Sequence, residues 1–463
     1  YSCQRLVTTM SDTDTEPETD VEADTDDLAR RAERAALRLA NADEATRNGA
    51  LRAIADEIRE REAEILAANA VDVEEAEAML ADGEYTQALV DRLKLDETKV
   101  EEIASMVESV AEQDDPLGET LAARELDDGL ELYRVAVPIG VVATVFESRP
   151  DALVQIAALA LKSGNAVVLK GGSEASGSNR VLHEAIVDAT ADLPDGWAAH
   201  IEAHEEVDRL LELDDRVDLV MPRGSSEFVS YIQENTQIPV LGHTEGVCHV
   251  YVDEAADLEM AEDVAFDAKV QYPAVCNAVE TLLVHESVAD AFLPDLVERY
   301  EEAGVEVRGD ERTREVVDVD PATDDDWDTE YGDLELSIRV VGDVYDAVGH
   351  VNDHGSKHTE SILTEDAKTA ETFMTGVDAA SVFHNASTRF ADGYRYGLGA
   401  EVGISTGKIH ARGPVGLAGL TTYKYYLEGD GHLVASYSGE DALPFTHREL
   451  DGAEWTPGSL STR

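Results

Sequence analysis

The spacing of apolar residues divides this 463-residue chain into a helical first part and a longer part in which strands and helices alternate. Between residues 27 and 112, apolar side chains recur every three or four positions, which predicts a series of amphipathic helices. Residues 120–125 and 131–137 then alternate apolar and polar side chains on either side of an Asp-Asp-Gly turn. This second pattern predicts a β-hairpin.

Strand and helix signals alternate from residue 139 to residue 241, an order that predicts a parallel, doubly wound sheet. A second series of this kind extends from residue 248 to about residue 384. The predicted fold class is therefore α/β, with two doubly wound parallel-sheet domains. The strands predicted in the first series are 141–146, 166–169 and 217–221, and the helices are 151–162, 176–190 and 225–234.

The composition is strongly acidic. The net charge is −63, and only nine of the 36 basic residues are lysine. Such a surface repels nucleic acids and anionic membranes, which excludes both as partners. In molar salt the screening length falls to about 3 Å, so this charge predicts an extreme halophile and says nothing about activity. Residues 11–27 are acidic with almost nothing to bury, which predicts that residues 1–27 form a disordered extension.

The cysteine count bounds both the compartment and the metal chemistry. Three scattered cysteines, Cys3, Cys248 and Cys276, argue against a disulfide framework and for a reducing cytoplasm. Cys248 and His249 are adjacent and cannot face one ion from a strand, so no metal site is predicted. No apolar run reaches the roughly 18–20 residues that a membrane-spanning helix needs.

Two turns that leave predicted strands suit the binding of a dinucleotide. Residues 168–174 leave a strand through two glycines and enter a helix, and residues 221–227 repeat this one βα unit later. Helix capping is the alternative explanation, but both turns fall at the sheet edge where ligands bind. Lys170 suits a 2′-phosphate and Glu174 a ribose hydroxyl, which leaves NADP and NAD both open. The candidate cofactor residues are Lys170, Gly172, Ser173, Glu174, Gly224, Ser225 and Ser226.

Two further residues are candidates for the chemistry. Arg149 follows the first strand at the same sheet edge and is able to bind a phosphate or carboxylate bidentately, a solvated loop arginine being the alternative. Cys276 lies between a predicted helix, 258–269, and a predicted strand, 281–284, where backbone N–H groups are able to point toward a reacting carbonyl. A lone cysteine is more often a small buried hydrophobe, so the rest of the chain decides its role.

The order of motifs resembles the aldehyde dehydrogenase superfamily and, within it, the gamma-glutamyl phosphate reductases. The likeness covers residues 28–430, and many long segments in one order make it specific. The segments are VFESRP (145–150), LKSGNA (161–166), LKGGSEA (169–175), LGHTEGVCH (241–249), CNA (276–278), DWDTEY (326–331), GSKHTE (355–360), NASTRF (385–390), GLGAEVGIST (397–406), HARGP (410–414) and LTTYKY (420–425).

The resemblance implies NADPH-dependent reduction of L-glutamyl 5-phosphate to L-glutamate 5-semialdehyde and phosphate, the second step of proline biosynthesis from glutamate. It implies that Cys276 forms a thioester and that the N–H of Cys276, or Asn277, stabilises the oxyanion. Glu330 is then the residue that holds the nicotinamide ribose. Hydrolytic relatives carry a glutamate that activates water, but no glutamate aligns cleanly here and Glu245 is the nearest carboxylate.

The same resemblance suggests substrate contacts, each with an alternative. Arg149 suits the phosphate of the substrate. Arg389, with Ser387, is expected to bind the glutamyl carboxylate, a structural salt bridge being the alternative. His358 is expected to contact the substrate, a satisfied loop histidine being the alternative.

The implied organisation includes a homo-oligomer, a cytoplasmic location and functional coupling to glutamate 5-kinase. Two other functions stay open: a non-phosphorylating semialdehyde dehydrogenase on the same fold, and a catalytically silent scaffold. The expected parts are an acidic extension (1–27), an NADP-binding domain (28–117 and 138–243), a catalytic domain (244–384), an oligomerisation arm (118–137 and 409–435), a return segment near the active site (385–408) and a tail (436–463).

Overall fold

The computed structural model describes residues 17–83, 85–147 and 149–456. The described helices are α1 (Pro17–Leu39), α2 (Glu44–Glu60), α3 (Glu62–Ala81), α4 (Gln87–Leu93), α5 (Glu97–Glu112), α6 (Pro150–Lys162), α7 (Ser176–Ala189), α8 (His204–Leu211), α9 (Ser226–Asn235), α10 (Leu258–Val270), α11 (Glu286–Glu302), α12 (Glu311–Val316), α13 (Val344–His354) and α14 (Ala367–Gly376). In this part of the chain no helix is both long and apolar enough to span a bilayer.

The described strands form four sheets. They are β1 (Thr120–Asp127), β2 (Leu130–Pro138), β3 (Val141–Phe146), β4 (Ala166–Gly171), β5 (Ala198–His200), β6 (Leu219–Arg223), β7 (Cys248–Val252), β8 (Val279–His285), β9 (Glu306–Gly309), β10 (Asp320–Pro321), β11 (Glu335–Val341), β12 (Thr359–Leu363), β13 (Ser381–His384), β14 (Gly403–Ser405), β15 (Gly413–Val415), β16 (Thr421–Glu428) and β17 (Arg448–Glu449).

The first parallel sheet has the order β5-β4-β3-β6, and its core draws on residues from 29 to 241 and from 400 to 420. Strands β3 and β4 are buried along their whole length, because helices cover both faces. The predicted strands and helices of this region are confirmed within a few residues. Strand β5 and helix α8 were not predicted, since both are short, with three and eight residues.

The predicted disorder of residues 1–27 is wrong from Pro17 onward, while residues 1–16 lie outside the described residues. Proline suits the first turn of a helix because its missing N–H is not needed there. Thr25 is fully buried, and Asp26 forms a 2.8 Å ion pair with Arg209 of α8. This tertiary contact supports an acidic segment that composition alone classes as disordered.

The second parallel sheet has seven strands in the order β10-β9-β11-β8-β7-β12-β13. Its apolar core lies between residues 250 and 363 and includes strands β7 and β8 and helices α10 and α11. With the first sheet it confirms the predicted α/β class with two parallel sheets. The predicted helix and strand on either side of Cys276 are α10 and β8.

An antiparallel sheet of order β16-β2-β1-β17 extends from the two parallel sheets and confirms the predicted hairpin. The C-terminal tail joins it: Arg448 and Glu449 pair with β1, and Trp455 stacks on Tyr426 with ring centroids 4.1 Å apart. Trp455 Nε1 also donates a 2.8 Å hydrogen bond to Glu428. The tail therefore covers the β1 edge of this sheet, an edge that would otherwise offer unpaired backbone groups.

Candidate active site

A cavity of about 760 Å³ opens at the carboxyl edge of the parallel sheet β5-β4-β3-β6, beside the turn that precedes β8. The sheet edge contributes Glu147 and Arg223, and the turn contributes Cys276. The return segment contributes Arg389 and Glu401. The cavity therefore collects side chains from both parallel sheets and from the segment between residues 385 and 408.

Cys276 is held in a tight turn between α10 and β8. The N–H of Ala278 donates to the carbonyl of Val275 at 2.9 Å, and the buried thiol of Cys248 donates to the carbonyl of Cys276 at 3.2 Å. Within the described residues, the N–H groups of Cys276 and Asn277 have no hydrogen-bond partner. They are therefore available to an oxyanion that forms next to the thiol.

Gly246 lets a second loop approach this turn. A Cβ atom at position 246 would lie 2.1 Å from the Cys276 carbonyl oxygen, so only glycine fits. The N–H of Gly246 donates to Glu330 Oε2 at 2.8 Å. This contact fixes the Glu330 carboxylate on the cavity wall. Its role toward the nicotinamide ribose stays a prediction of the resemblance.

The surroundings of Cys276 raise the pKa of its thiol in the ligand-free protein. Burial raises its pKa to about 12, and the carboxylates of Glu330 and Glu401 act in the same direction. Arg223 and Arg389 oppose this shift. Negative neighbours raise the pKa of the thiol because they disfavour the thiolate, and positive neighbours lower it because they favour the thiolate.

The raised pKa predicts the pH profile of alkylation. Iodoacetamide is expected to label Cys276 slowly near pH 7, and the rate is expected to rise about tenfold per pH unit up to about pH 10, because only the thiolate reacts. Mass mapping of the labelled peptide measures this rate separately from that of Cys248, which is buried and whose pKa lies well above its usual range. A rate that levels off below about pH 9 contradicts the raised pKa.

Arg149 and Arg223 place two positive charges in the same part of the cavity. Burial lowers the pKa of Arg223, and the like charge of Arg149 lowers it further. Among the residues that the structure describes, Arg223 Nη1 is buried with no hydrogen-bond partner. Two mutually repelling guanidiniums with an unused donor provide a site for an anion beside Cys276.

Arg389 is almost buried, and its Nε donates to Gln271 Oε1 at 3.0 Å. No ion pair joins Arg389 to any described residue, which disfavours the salt-bridge alternative. Ser387 does not line the cavity. It is the N-cap of the short helical turn Thr388–Phe390, and its hydroxyl accepts the N–H of Arg389 at 3.3 Å. Ser387 thus positions Arg389 in this structure.

Two other predicted site residues are engaged in ways the sequence did not indicate. Asn277 Nδ2 donates to the carbonyl of Ala391 at 2.9 Å, which ties the Cys276 turn to the return segment. His358 is only 1% exposed and does not line the cavity, so it faces the thiol rather than the open space. Burial lowers the pKa of His358 to about 3, and its ring is therefore neutral.

The predicted cofactor turns lie at one sheet edge, as strand register requires. Val145 of β3 pairs with Lys170 of β4, and Phe146 pairs with Arg223 of β6, so both turns flank the end of β3. Burial lowers the pKa of Lys170, and nearby Glu174 opposes this. The first turn, with Gly172, Ser173 and Glu174, lies beyond the cavity wall, whereas Gly224, Ser225 and Ser226 line it.

The second turn is held by hydrogen bonds rather than by a serine cap. Ser225 occupies the N-cap of α9, yet its side chain makes no capping bond, and its N–H donates to Glu147 at 3.0 Å. The hydroxyl of Ser226 donates to the Thr244 carbonyl. Helix capping by either side chain is therefore not the role of this turn.

Three residues of the site were missed from sequence as functional groups: Arg223, His243 and Glu401. Arg223 was seen only as part of a turn, although its place at a strand end is the signal that identified Arg149. His243 and Glu401 were contained in motifs but carried no role. Glu401 is held by the N–H of Gly393 at 2.7 Å, and burial raises its pKa.

Comparisons of the sequence and of the structure with known proteins point to the same family. Residues 12–326 match the Aldehyde dehydrogenase family. Gamma-glutamyl phosphate reductase of Natronomonas pharaonis is 72% identical over 428 residues, covering 92% of this chain and 98% of the relative. The protein of that name from Haloquadratum walsbyi is 68% identical, covering 91% and 94%. The crystal structure of gamma-glutamyl phosphate reductase from Thermotoga maritima has a TM-score of 0.86 at 44% identity, covering 88% of this chain and 99% of that one.

Proposed function

The chain belongs to the gamma-glutamyl phosphate reductase family of aldehyde dehydrogenases, and we propose that its reaction takes place in the cavity at Cys276. The enzyme reduces L-glutamyl 5-phosphate with NADPH to L-glutamate 5-semialdehyde and phosphate, the second step of proline biosynthesis from glutamate. One observation supports this placement above the others: Cys276 shares a single cavity with Arg149, Arg223 and Arg389.

In the first step, Cys276 Sγ attacks the carbonyl carbon of the acyl phosphate, and the thiol proton leaves with the departing phosphate. The C–S bond forms, the C–O bond to phosphate breaks, and phosphate leaves with the electron pair, so a thioester remains on Cys276. The free N–H groups of Cys276 and Asn277 stabilise the oxyanion. Arg149 and Arg223 hold the phosphate, and Arg389 binds the glutamyl carboxylate.

The residues at the sheet edge fit NADP(H). A Cβ at Gly224 would lie 2.6 Å from Glu147 Oε2, so glycine at this position lets the Glu147 carboxylate approach the turn and accept the N–H of Ser225. Glu330 is fixed on the cavity wall for a ribose, and Lys170 at the neighbouring turn suits a 2′-phosphate. When bound, NADPH supplies the hydride that reduces the thioester. Cys276 then leaves as a thiolate when the thiohemiacetal collapses to the aldehyde.

The carboxylates that are candidates for activating water are either outside the cavity or held by backbone hydrogen bonds. Glu245, the nearest counterpart of the hydrolytic glutamate, is exposed and does not line the cavity. Glu330 and Glu401 do line it, but each accepts a backbone N–H, from Gly246 and from Gly393. These contacts support release of the acyl group by hydride or phosphate rather than by water.

Phosphate dependence tests this function. In the reverse direction, oxidation of pyrroline-5-carboxylate, which is in equilibrium with the semialdehyde, is expected to reduce NADP only when inorganic phosphate is present. The reason is that phosphate must release the acyl group from Cys276. NADPH absorbance measures the rate, and sulfate at equal ionic strength is the control. The same assay with NAD compares the two cofactors.

NADPH formation that ignores phosphate would instead support the runner-up, a non-phosphorylating semialdehyde dehydrogenase on this fold. A scaffold without catalysis predicts no turnover under either condition. The restrained carboxylates favour the phosphate-dependent reaction over the first of these, and the three arginines around a thiol favour catalysis over the second.

The parts of the chain have separate roles in this proposal. We assign cofactor binding to 28–117 and 138–243, catalysis to 244–384, and closure of the site to 385–408. The antiparallel sheet supports homo-oligomerisation, because its outer strand β16 exposes Tyr423, Tyr425 and Leu427.

The chemistry also bears on the partner and the location. An acyl phosphate has to be supplied by phosphorylation of a carboxylate, which supports functional coupling to glutamate 5-kinase. A catalytic thiol has to stay reduced, which supports a cytoplasmic location.

A further inference from the structure

Two histidines converge on the catalytic thiol from separate parts of the chain. Sγ of Cys276 and one ring nitrogen each of His243 and His358 all lie within 4.8 Å of one another. The two imidazole rings are 5.0 Å apart between centroids and meet edge to face at 67°. The catalytic cycle described above uses neither ring.

The Nδ1 atom of each ring already has a hydrogen-bond partner. His243 Nδ1 lies 3.1 Å from the carbonyl of Ile404, and His358 Nδ1 lies 2.9 Å from Thr359 Oγ1. A backbone carbonyl on Nδ1 leaves Nε2 of His243 with a free lone pair, as in metal-binding histidines. His358 Nε2 is buried and has no hydrogen-bond partner within the described part of the chain.

We propose that Cys276, His243 and His358 form a binding site for a thiophilic divalent cation such as Zn²⁺, and that occupation of this site blocks the nucleophile. One thiolate and two imidazoles are three of the four ligands that tetrahedral Zn²⁺ takes, and Cys276 and His243 both line the cavity, which supplies water as the fourth ligand. Ligand atoms of such a site lie about 3.3–3.7 Å apart, so side-chain shifts of about 1 Å complete it.

The surrounding charges are balanced enough to accept a cation. Glu330 and Glu401 act on the thiol with negative charge, which offsets the positive charge of Arg223 and Arg389. Sequence spacing gives no sign of the site, because its ligands come from the loop before β7, the turn before β8 and the start of β12. Bound Zn²⁺ occupies the sulfur lone pair that attacks the acyl phosphate, so inhibition is expected to be reversible by a chelator.

Zn²⁺ binding to the full chain, without substrate or cofactor, tests the proposal. Competition with a chromogenic chelator is run in a large excess of Mg²⁺, which fills carboxylate sites but competes poorly for sulfur and nitrogen. One tight Zn²⁺ per chain is expected. Cys276→Ser and His358→Ala are each expected to weaken binding by at least about 100-fold, since loss of an outer partner alone costs about 10–100-fold.

Cys248→Ser is the matched control, because this second thiol is buried close to the first and lies on the Nδ1 side of His358. It is expected to keep the affinity of the parent chain. With Co²⁺ in place of Zn²⁺, thiolate charge-transfer absorption is expected in the parent and in Cys248→Ser, and is expected to be absent in Cys276→Ser.

Parent-like Zn²⁺ affinity in Cys276→Ser, or no Zn²⁺ bound above the Mg²⁺ background, overturns the proposal. Loss of the Co²⁺ band in Cys248→Ser with retention in Cys276→Ser overturns it as well. Because binding is measured without turnover, a chain that binds Zn²⁺ at Cys276 but lacks reductase activity contradicts the proposed function and supports the metal site.

Discussion

Replacement of Cys276 by serine is expected to lower phosphate-dependent oxidation of the semialdehyde by at least about 10⁴-fold, as removal of a catalytic nucleophile does elsewhere. A serine hydroxyl is a much weaker acid than a thiol, and the lowered pKa of His358, about 3, makes its neutral ring a weak base toward it. The measurement is initial-rate NADPH formation at saturating NADP and phosphate. NADPH binding, followed by fluorescence titration, is expected to stay unchanged, because the cofactor turns follow β4 and β6 of the first parallel sheet, whereas Cys276 precedes β8 of the second.

Cys248→Ser separates a catalytic loss from a structural one. Cys248 is fully buried and donates to the Cys276 carbonyl, and a serine hydroxyl is able to make the same bond. This variant is expected to keep activity within about tenfold of the parent. If Cys276→Ser retains more than about one per cent of the rate, or if Cys248→Ser loses as much as Cys276→Ser, then Cys276 is not the nucleophile.

The fold was predictable wherever local pattern and topology agree. Buried β-branched runs identified β3, β4 and β8, and the alternation with helices gave parallel sheets. The beginning of α1 was mispredicted, because an acidic stretch gains its stability from Arg209, about 180 residues away. The packing of Trp455 on Tyr426 was not predictable either, since a lone aromatic in a polar tail has no periodic context.

The site was predictable only in part, because contacts between residues distant in sequence complete it. Cys276 and Arg149 were identified because each lies at a junction between a strand and a helix. Arg223 stands at an equivalent junction, but its unpaired, buried donor is a property of the packed site and not of the sequence. His243 and His358 are far apart along the chain, and only the packing of the folded chain brings their rings to 5.0 Å between centroids.

Replacement of Arg223 by methionine is expected to lower kcat/KM by about 10²–10³-fold and to raise the KM for phosphate in the reverse reaction. The guanidinium has a buried, unused donor and faces the like charge of Arg149, so it is placed to bind the phosphate of the substrate. Methionine fills similar space without the charge, so the folded state is expected to lose little stability. Initial rates over a range of phosphate concentrations measure the change.

A second readout separates a role in the cavity from a merely structural one. Arg223 lowers the pKa of Cys276, so its removal is expected to raise that pKa further and to slow iodoacetamide labelling at a fixed alkaline pH. Arg314→Met is the control, since Arg314 is exposed on α12 and does not line the cavity. An unchanged KM for phosphate in Arg223→Met would show that another group holds the phosphate, and Arg149 would then be the first residue to replace. Slower labelling of Cys276 together with a raised phosphate KM is expected only if one guanidinium faces both the thiol and the leaving group.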